Sequence, residues 1–148
     1  MGTNFQGTEQ EISALDAYIK LSRAAEAVTT RINRHLKAEN LTISQFGVLE
    51  AIYHLGPMHQ YRLGQKILKS GGNMTLVIDN LQKRGLVERE QDPADRRCIT
   101  VRLTEAGQEL ILKIFPRHVG IVVEEFSMLT LKEQAQLAAL CRKLGLAG

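Results

Sequence analysis

The sequence predicts a mainly α-helical α+β fold, and three observations indicate it. Threonine-based helix-start signals recur along the 148 residues. Two short amphipathic segments are joined by the tight turn Ser70-Gly71-Gly72, as in a helix-turn-helix. Two short β-branched segments follow them directly, which predicts a hairpin, or wing. The expected architecture is therefore a winged helix-turn-helix between long N- and C-terminal helices.

The first long helix begins at a capping box. The Thr8 hydroxyl can accept a backbone N–H while the Glu11 side chain reaches back to residue 8. Apolar residues then recur at three- and four-residue steps from Leu15 onward. The pattern predicts one helix to about Ala38, with Asn40 as a left-handed stop.

Similar signals bound the helix-turn-helix. Thr42 and Gln45 make a second capping box, and Gly56-Pro57 ends the helix that they open. A short helix should follow, and its apolar residues are Tyr61, Leu63, Ile67 and Leu68. Ser70 is a favourable N-cap for the next helix, which ends near Gly85. The inward face of that helix is expected to consist of Met74, Val77, Ile78 and Leu81.

The wing follows from a change of period. Residues 86–90 and 99–103 are short, β-branched and roughly alternating, and the charged turn Asp92–Arg97 lies between them. These segments predict two strands of a β-hairpin.

Two helices are expected after the wing. Thr104 caps a long helix, which Pro116 should kink or split. Thr130 and Glu133 make a third capping box, and Gly145 is the stop of the last helix. We expect that helix to turn inward Leu137, Leu140, Cys141 and Leu144.

Charge and composition narrow the class of protein. Residues 59–102 carry nine Lys and Arg against five Asp and Glu, whereas the net charge of the whole chain is only +3. A basic middle third is typical of a nucleic-acid surface, although mixed surface charges can produce it by chance. No apolar run is long enough to cross a bilayer, and no signal peptide is evident, so we expect a cytoplasmic protein without a membrane partner.

No catalytic, cofactor or metal site is expected. Ser70-Gly71-Gly72 lacks the preceding strand of a nucleophile elbow, so the protein should not be an enzyme. Cys98 and Cys141 are too few for a disulfide framework and show no metal-ligand spacing. The four histidines are scattered and are expected to be structural or surface residues.

Two stretches resemble the MarR family of bacterial regulators. Asp95-Arg96-Arg97 and Leu103-Thr104-Glu105-Ala106-Gly107 are similar to the family's D-x-R…L-T-x-x-G signature. Residues 72–87 look like its recognition helix and the exit into its wing. The resemblance implies one domain over residues 1–148. Its dimerisation helices would be 8–40 and 104–146, and its winged helix-turn-helix DNA-binding lobe 41–103.

The resemblance implies double-stranded DNA as a partner. With its apolar side turned inward, the recognition helix leaves Asn73, Thr75, Leu76 and Asn80 for base edges. The family position of Leu76 often holds arginine, so guanine reading is not expected there. Arg97 matches the family's minor-groove arginine, and Asp95 matches the aspartate that braces that arginine. The neighbouring Arg96 is expected to contact a phosphate. Asp79 matches a family aspartate that implies a bracing ion pair, the alternative being repulsion of phosphate.

The amphipathic end helices predict a homodimer, because a small winged lobe cannot cover them alone. Two recognition helices in a dimer predict a palindromic operator. Family resemblance further implies a repressor released by a small, often phenolic or aromatic, effector. Residues that can line its cavity, or equally the core, are Leu15, Tyr18, Phe46 and Phe115.

Two alternatives remain open on the sequence. A winged helix can serve as a protein-interaction module. DNA would then not compete for its surface with the salt dependence that DNA binding shows. The other alternative is a redox- or metal-responsive regulator. In the redox case, oxidation of Cys98 would disturb the wing.

Overall fold

The structure is a computed structural model, which describes residues 2–67 and 71–146. The described elements are, in order, α1 (Glu9–Asn33), a 3₁₀ helix (Arg34–Glu39), α2 (Ile43–Leu55), β1 (Met58–His59), α3 (Gln60–Lys66), α4 (Gly71–Lys83), β2 (Val87–Gln91), β3 (Ile99–Leu103), α5 (Glu105–Glu125) and α6 (Leu131–Gly145). The predicted winged helix-turn-helix class is confirmed. The expected roles of Leu68 and Ser70 lie outside the described residues.

All three predicted capping boxes are present. Thr8 accepts from the backbone N of Glu11 at 3.2 Å, and the Glu11 carboxylate accepts in return from the N–H of Thr8. Thr42 with Gln45 and Thr130 with Glu133 repeat this geometry. A polar side chain thus takes one orphan donor at each of these helix starts, which is why local sequence suffices to place them.

One helix boundary needs correction, and one of the two outcomes expected at Pro116 is excluded. The α-helical part of α1 ends at Asn33 rather than near Ala38, and a 3₁₀ helix carries the chain to Glu39. Asn40 has φ 54°, so the predicted left-handed stop is confirmed. Pro116 does not split α5, which runs through it unbroken. Proline costs one backbone hydrogen bond there, and the helix on either side is long enough to continue.

The wing belongs to a three-stranded antiparallel sheet with the order β1-β3-β2. β2 and β3 pair from Val87 opposite Leu103 to Gln91 opposite Ile99, as the sequence predicts. β1 is two residues long and pairs with the other side of β3. Sequence reasoning missed β1, because two residues carry no periodicity.

Contacts within the chain divide it into two compact units. One contains the residues up to Arg34 and those from Gly120 onward, and the other is His35–Val119. We refer to the second as the winged lobe. Its fully buried core takes residues from the 3₁₀ helix, from α2 to α5 and from β3. They include Leu36, Leu49, Leu63, Ile78, Leu81, Val101 and Ile111. The polar outer face of α4 is therefore held by a packed inner face.

In the other unit, the apolar residues of α6 are exposed. Leu137, Leu140 and Leu144 are 39%, 65% and 62% exposed, and Cys141 is exposed too. The sequence predicts that a second copy covers the end helices, and in the single chain these residues are open to solvent. The amphipathic pattern correctly marks one apolar face of α6, but no element of the described chain covers that face. None of the described helices is long and apolar enough to span a membrane.

A histidine pair lies within the winged lobe. His35 Nε2 and His118 Nδ1 are 3.1 Å apart and share a hydrogen bond, which needs at least one neutral ring. The His118 ring also packs on Phe46, with centroids 4.6 Å apart. Burial lowers the pKa of both histidines below 6.5. The charges of His118 and Arg117 lower that of His35 further, against an opposing effect of Glu39.

Stability should therefore depend on pH through this pair. Because the folded pKa values lie below the unfolded value, the unfolded chain binds more protons near and below pH 6.5. With respect to this pair, the free energy of unfolding should reach its highest value above pH 7. It should fall below about pH 6.5, with a slope approaching about 1.4 kcal/mol per pH unit for each proton. Urea unfolding between pH 5 and 8, at one protein concentration, measures it.

The double variant His35→Gln/His118→Gln removes the pair. Its control is His59→Gln, at an exposed histidine outside the pair. The double variant should flatten the fall below pH 6.5, whereas His59→Gln should keep it. An undiminished fall in the double variant would assign the pH dependence to other groups.

Candidate nucleic-acid interface

The recognition helix α4 is fixed in rotation by its buried side. Met74, Ile78 and Leu81 are at most 1% exposed, as predicted for its inward face. Of the candidate readers, Asn73, Thr75 and Leu76 are exposed and Asn80 is half-buried. Leu76 is 59% exposed, so its apolar side chain is open to contact with another molecule. The structure thus brings the four candidates to the outer side of one helix.

Thr75 is held at the base of this surface. Gln60, the first residue of α3, donates from Nε2 to the Thr75 Oγ1 at 2.9 Å. The contact joins both helices of the helix-turn-helix and fixes the rotamer of one candidate reader.

The wing turn is built around Asp95. Its Oδ1 accepts from the backbone N of Arg97 at 3.0 Å and from the Arg97 Nε at 3.2 Å, while Oδ2 lies 3.4 Å from a terminal guanidinium nitrogen. The hydrogen bonds from Arg97 hold the pKa of Asp95 below its usual value. The Arg97 side chain remains 91% exposed, and neighbouring Arg96 is exposed as well. The turn therefore presents two cations on a rigid base.

Cys98 lies beside the same carboxylate. Its Sγ is 3.7 Å from Asp95 Oδ2, and partial burial together with the charge of Asp95 raises the pKa of the thiol. The thiolate is the form that reacts with oxidants, so this setting makes Cys98 less reactive than an ordinary cysteine.

The main role of Arg89 does not follow from the sequence, where it is one of the nine basic residues of the middle third. The guanidinium, on β2, pairs with Asp79 of α4 at 2.6 Å and makes three further hydrogen bonds. The acidic residue in the predicted recognition helix is the available signal. The expected ion pair of Asp79 is present, and the sequence did not identify its partner.

Another basic residue is also engaged within the fold. Arg84 donates to the carbonyl oxygens of Asn40 at 2.6 Å and Glu39 at 3.1 Å. These bonds join the end of α4 to the left-handed turn before α2. Arg84 is therefore a structural link, which its position in a basic run does not reveal.

Comparison with known proteins identifies the family. The MarR family profile matches residues 41–99, from the turn before α2 to the start of β3. YkoM, an HTH-type transcriptional regulator of Bacillus subtilis, is 37% identical over 93% of this chain and 90% of its own length. The chain belongs to the MarR family. Its members are DNA-binding transcriptional regulators rather than enzymes.

Two solved structures share the fold over most of both chains. A mutant of Escherichia coli MarR in complex with operator DNA is 29% identical, with a TM-score of 0.73 over 86% of this chain and 95% of that one. Bordetella bronchiseptica BpsR, whose DNA binding is regulated by 6-hydroxynicotinic acid, is 26% identical. Its TM-score is 0.83 over 99% of this chain and 100% of its own.

The four cavity candidates of this MarR-family chain differ in their surroundings. Phe46 is 3% exposed and fills the core of the winged lobe, and Phe115 packs there against His54 with centroids 4.6 Å apart. Leu15 is half-buried and Tyr18 is 67% exposed, both on α1 in the other unit. Within the described residues, no three His, Cys, Asp or Glu side chains are grouped to hold a metal ion.

Proposed function

We propose that the protein is a homodimeric repressor that binds a palindromic operator through α4 and the wing. The observation that carries this proposal is the joint presentation of exposed Leu76 on α4 and exposed Arg97 on a braced turn. A dimer bound across a promoter excludes other proteins from the same DNA, so repression is the expected outcome.

The two elements suit different grooves. Asn73, Thr75 and Asn80 carry side chains that can hydrogen-bond base edges in the major groove, with Asn suited to adenine. Leu76 offers only apolar contact, for which the thymine methyl is the complement. Arg97 suits the negative potential of a narrow A·T-rich minor groove, and Arg96 the adjacent phosphate. We therefore expect an A·T-rich operator.

The dimer is supported by the uncovered face of α6. Leu140 and Leu144 lie four residues apart on one side of that helix and are both more than 60% exposed. Burying apolar surface of this kind is the usual driving force of homodimers. Two recognition helices related by a twofold axis would meet half-sites about one DNA turn apart.

We propose that a small aromatic acid or phenol releases the operator. Support comes from BpsR, because 6-hydroxynicotinic acid regulates the DNA binding of that protein. An effector acts here only if it binds the free conformation more tightly than the DNA-bound one, for example by altering the half-site spacing.

The alternatives have less support. The raised pKa of the Cys98 thiol disfavours a redox sensor, and the described residues offer no three-ligand metal set. A protein-interaction module remains as the outcome in which the α4 and wing surface recovers no DNA sequence.

Selection from a pool of random duplexes tests the proposal. The protein is incubated with the pool at physiological salt, bound DNA is amplified, and the cycle is repeated. We expect an A·T-rich inverted repeat whose half-sites are about one turn apart, roughly 10 base pairs. Recovery of a single unrepeated motif would contradict the dimer. Recovery of no motif would favour the protein-interaction module.

A further inference from the structure

A single guanidinium joins the wing to the helix-turn-helix. Arg89 lies on β2, opposite Val101 of β3. Its Nη1 is 2.6 Å from Asp79 Oδ1 and 2.8 Å from Gln82 Oε1, both on α4. Its Nη2 donates to the carbonyl oxygen of Thr75 at 3.1 Å. Nε donates to Gln60 Oε1 of α3 at 3.2 Å.

The donor count leaves Arg89 little capacity for DNA. A guanidinium has five N–H groups, and these contacts take one from Nε, two from Nη1 and one from Nη2. The side chain is only 20% exposed, against 91% for Arg97. Four directed contacts to two helices are typical of a group that fixes geometry rather than one that binds phosphate.

The contacts act where the position of the wing is determined. β2 begins two residues before Arg89 and leads into the turn that carries Arg97. Within the described residues of α4, the acceptors span Thr75 to Gln82, so the base of the hairpin is tied along two turns of the recognition helix.

We propose that Arg89 is a positioning residue that fixes the wing against α4, so that both elements engage DNA at once. The inference rests on the proposed function, because it assumes that Arg97 acts at the minor groove. A preformed spacing avoids the ordering cost that a loose wing would add on binding. Without Arg89, the contribution of Arg97 to affinity is lost even though Arg97 itself is present.

A double-mutant cycle tests this inference. Wild type, Arg89→Gln, Arg97→Ala and the double variant are titrated against the duplex recovered by selection, between 50 and 300 mM salt. Arg97→Ala should weaken binding about 10-fold and lower the salt slope by about one ion. Arg89→Gln should reproduce both changes, and the double variant should lose less than about 2-fold more than Arg89→Gln alone.

The salt slope separates positioning from unfolding, because a loss of folded protein lowers the apparent affinity equally at every salt concentration. A double variant that loses the product of the two single effects, about 100-fold, would overturn the proposal and make Arg89 an independent DNA contact. Wild-type binding by Arg89→Gln would overturn it too. No effect of Arg97→Ala would instead remove the wing role from the proposed function.

Asp79→Asn is the matched variant if Arg89→Gln folds poorly. It keeps an acceptor and removes a negative charge near the DNA, so electrostatics alone would strengthen binding. Positioning by the Arg89–Asp79 pair requires weaker binding and the same lower salt slope. Strengthened binding would contradict the proposal.

Discussion

Gly107→Ala should destabilise the folded protein by about 3 kcal/mol and lower its Tm by roughly 10 °C. A Cβ at residue 107 would lie far inside contact distance of the Leu86 carbonyl oxygen and 3.0 Å from its carbonyl carbon. That carbonyl is part of the backbone and cannot rotate away, since it accepts from the N–H of Thr104 at 3.1 Å. The Thr104 hydroxyl also donates to the carbonyl of Gly85 and accepts from the N–H of Gly107, closing the junction.

Gly120→Ala is the matched control, in the same helix α5. A Cβ there meets nothing within 4 Å, so the substitution should stabilise the helix by about 0.5 to 1 kcal/mol. Urea denaturation of both variants at one protein concentration gives the comparison. Equal free energies of unfolding for Gly107→Ala and wild type would show that the α5–β2 junction is looser than its contacts indicate.

Leu140→Glu should abolish the homodimer at micromolar concentration and weaken operator binding by more than about 100-fold. The side chain is 65% exposed in the single chain and lies on the proposed twofold interface. A twofold interface contains each substitution twice, so two charges would be buried without partners and two leucines lost. A monomer also engages only one half-site, which removes the avidity of the second.

Ala135→Glu controls for the added charge. Residue 135 is exposed and lies at least about 120° around α6 from every residue of the apolar stripe, so it faces away from that stripe. Analytical ultracentrifugation should give a dimer for Ala135→Glu and a monomer for Leu140→Glu. A stable Leu140→Glu dimer would move the interface to another face of the chain.

Local signals explain what the sequence could predict. The capping boxes at Thr8, Thr42 and Thr130 involve residues three apart, and the inward face of α4 follows from helical period. The wing followed from alternation, and Asn40 from its tolerance of positive φ. Each of these depends on a few neighbouring residues.

The remaining features depend on distant residues. His35 and His118 are 83 positions apart, and Arg89 binds Gln60 across 29, so no periodicity connects them. The family signature marked Gly107, but its close approach to Leu86 is visible only in three dimensions. The apolar stripe of α6 is predictable as a face from its helical period, but the period does not say which molecule covers that face.

The most direct test of the regulator is a fluorescence-anisotropy titration against DNA upstream of its own gene. The titration is run at physiological salt with excess random competitor, and again at doubled salt. The proposed function requires competitor-resistant binding that saturates at two subunits per site and weakens steeply with salt. Binding no tighter than to random DNA, together with no motif from the selection, would contradict a sequence-specific regulator and leave the winged surface to a protein partner.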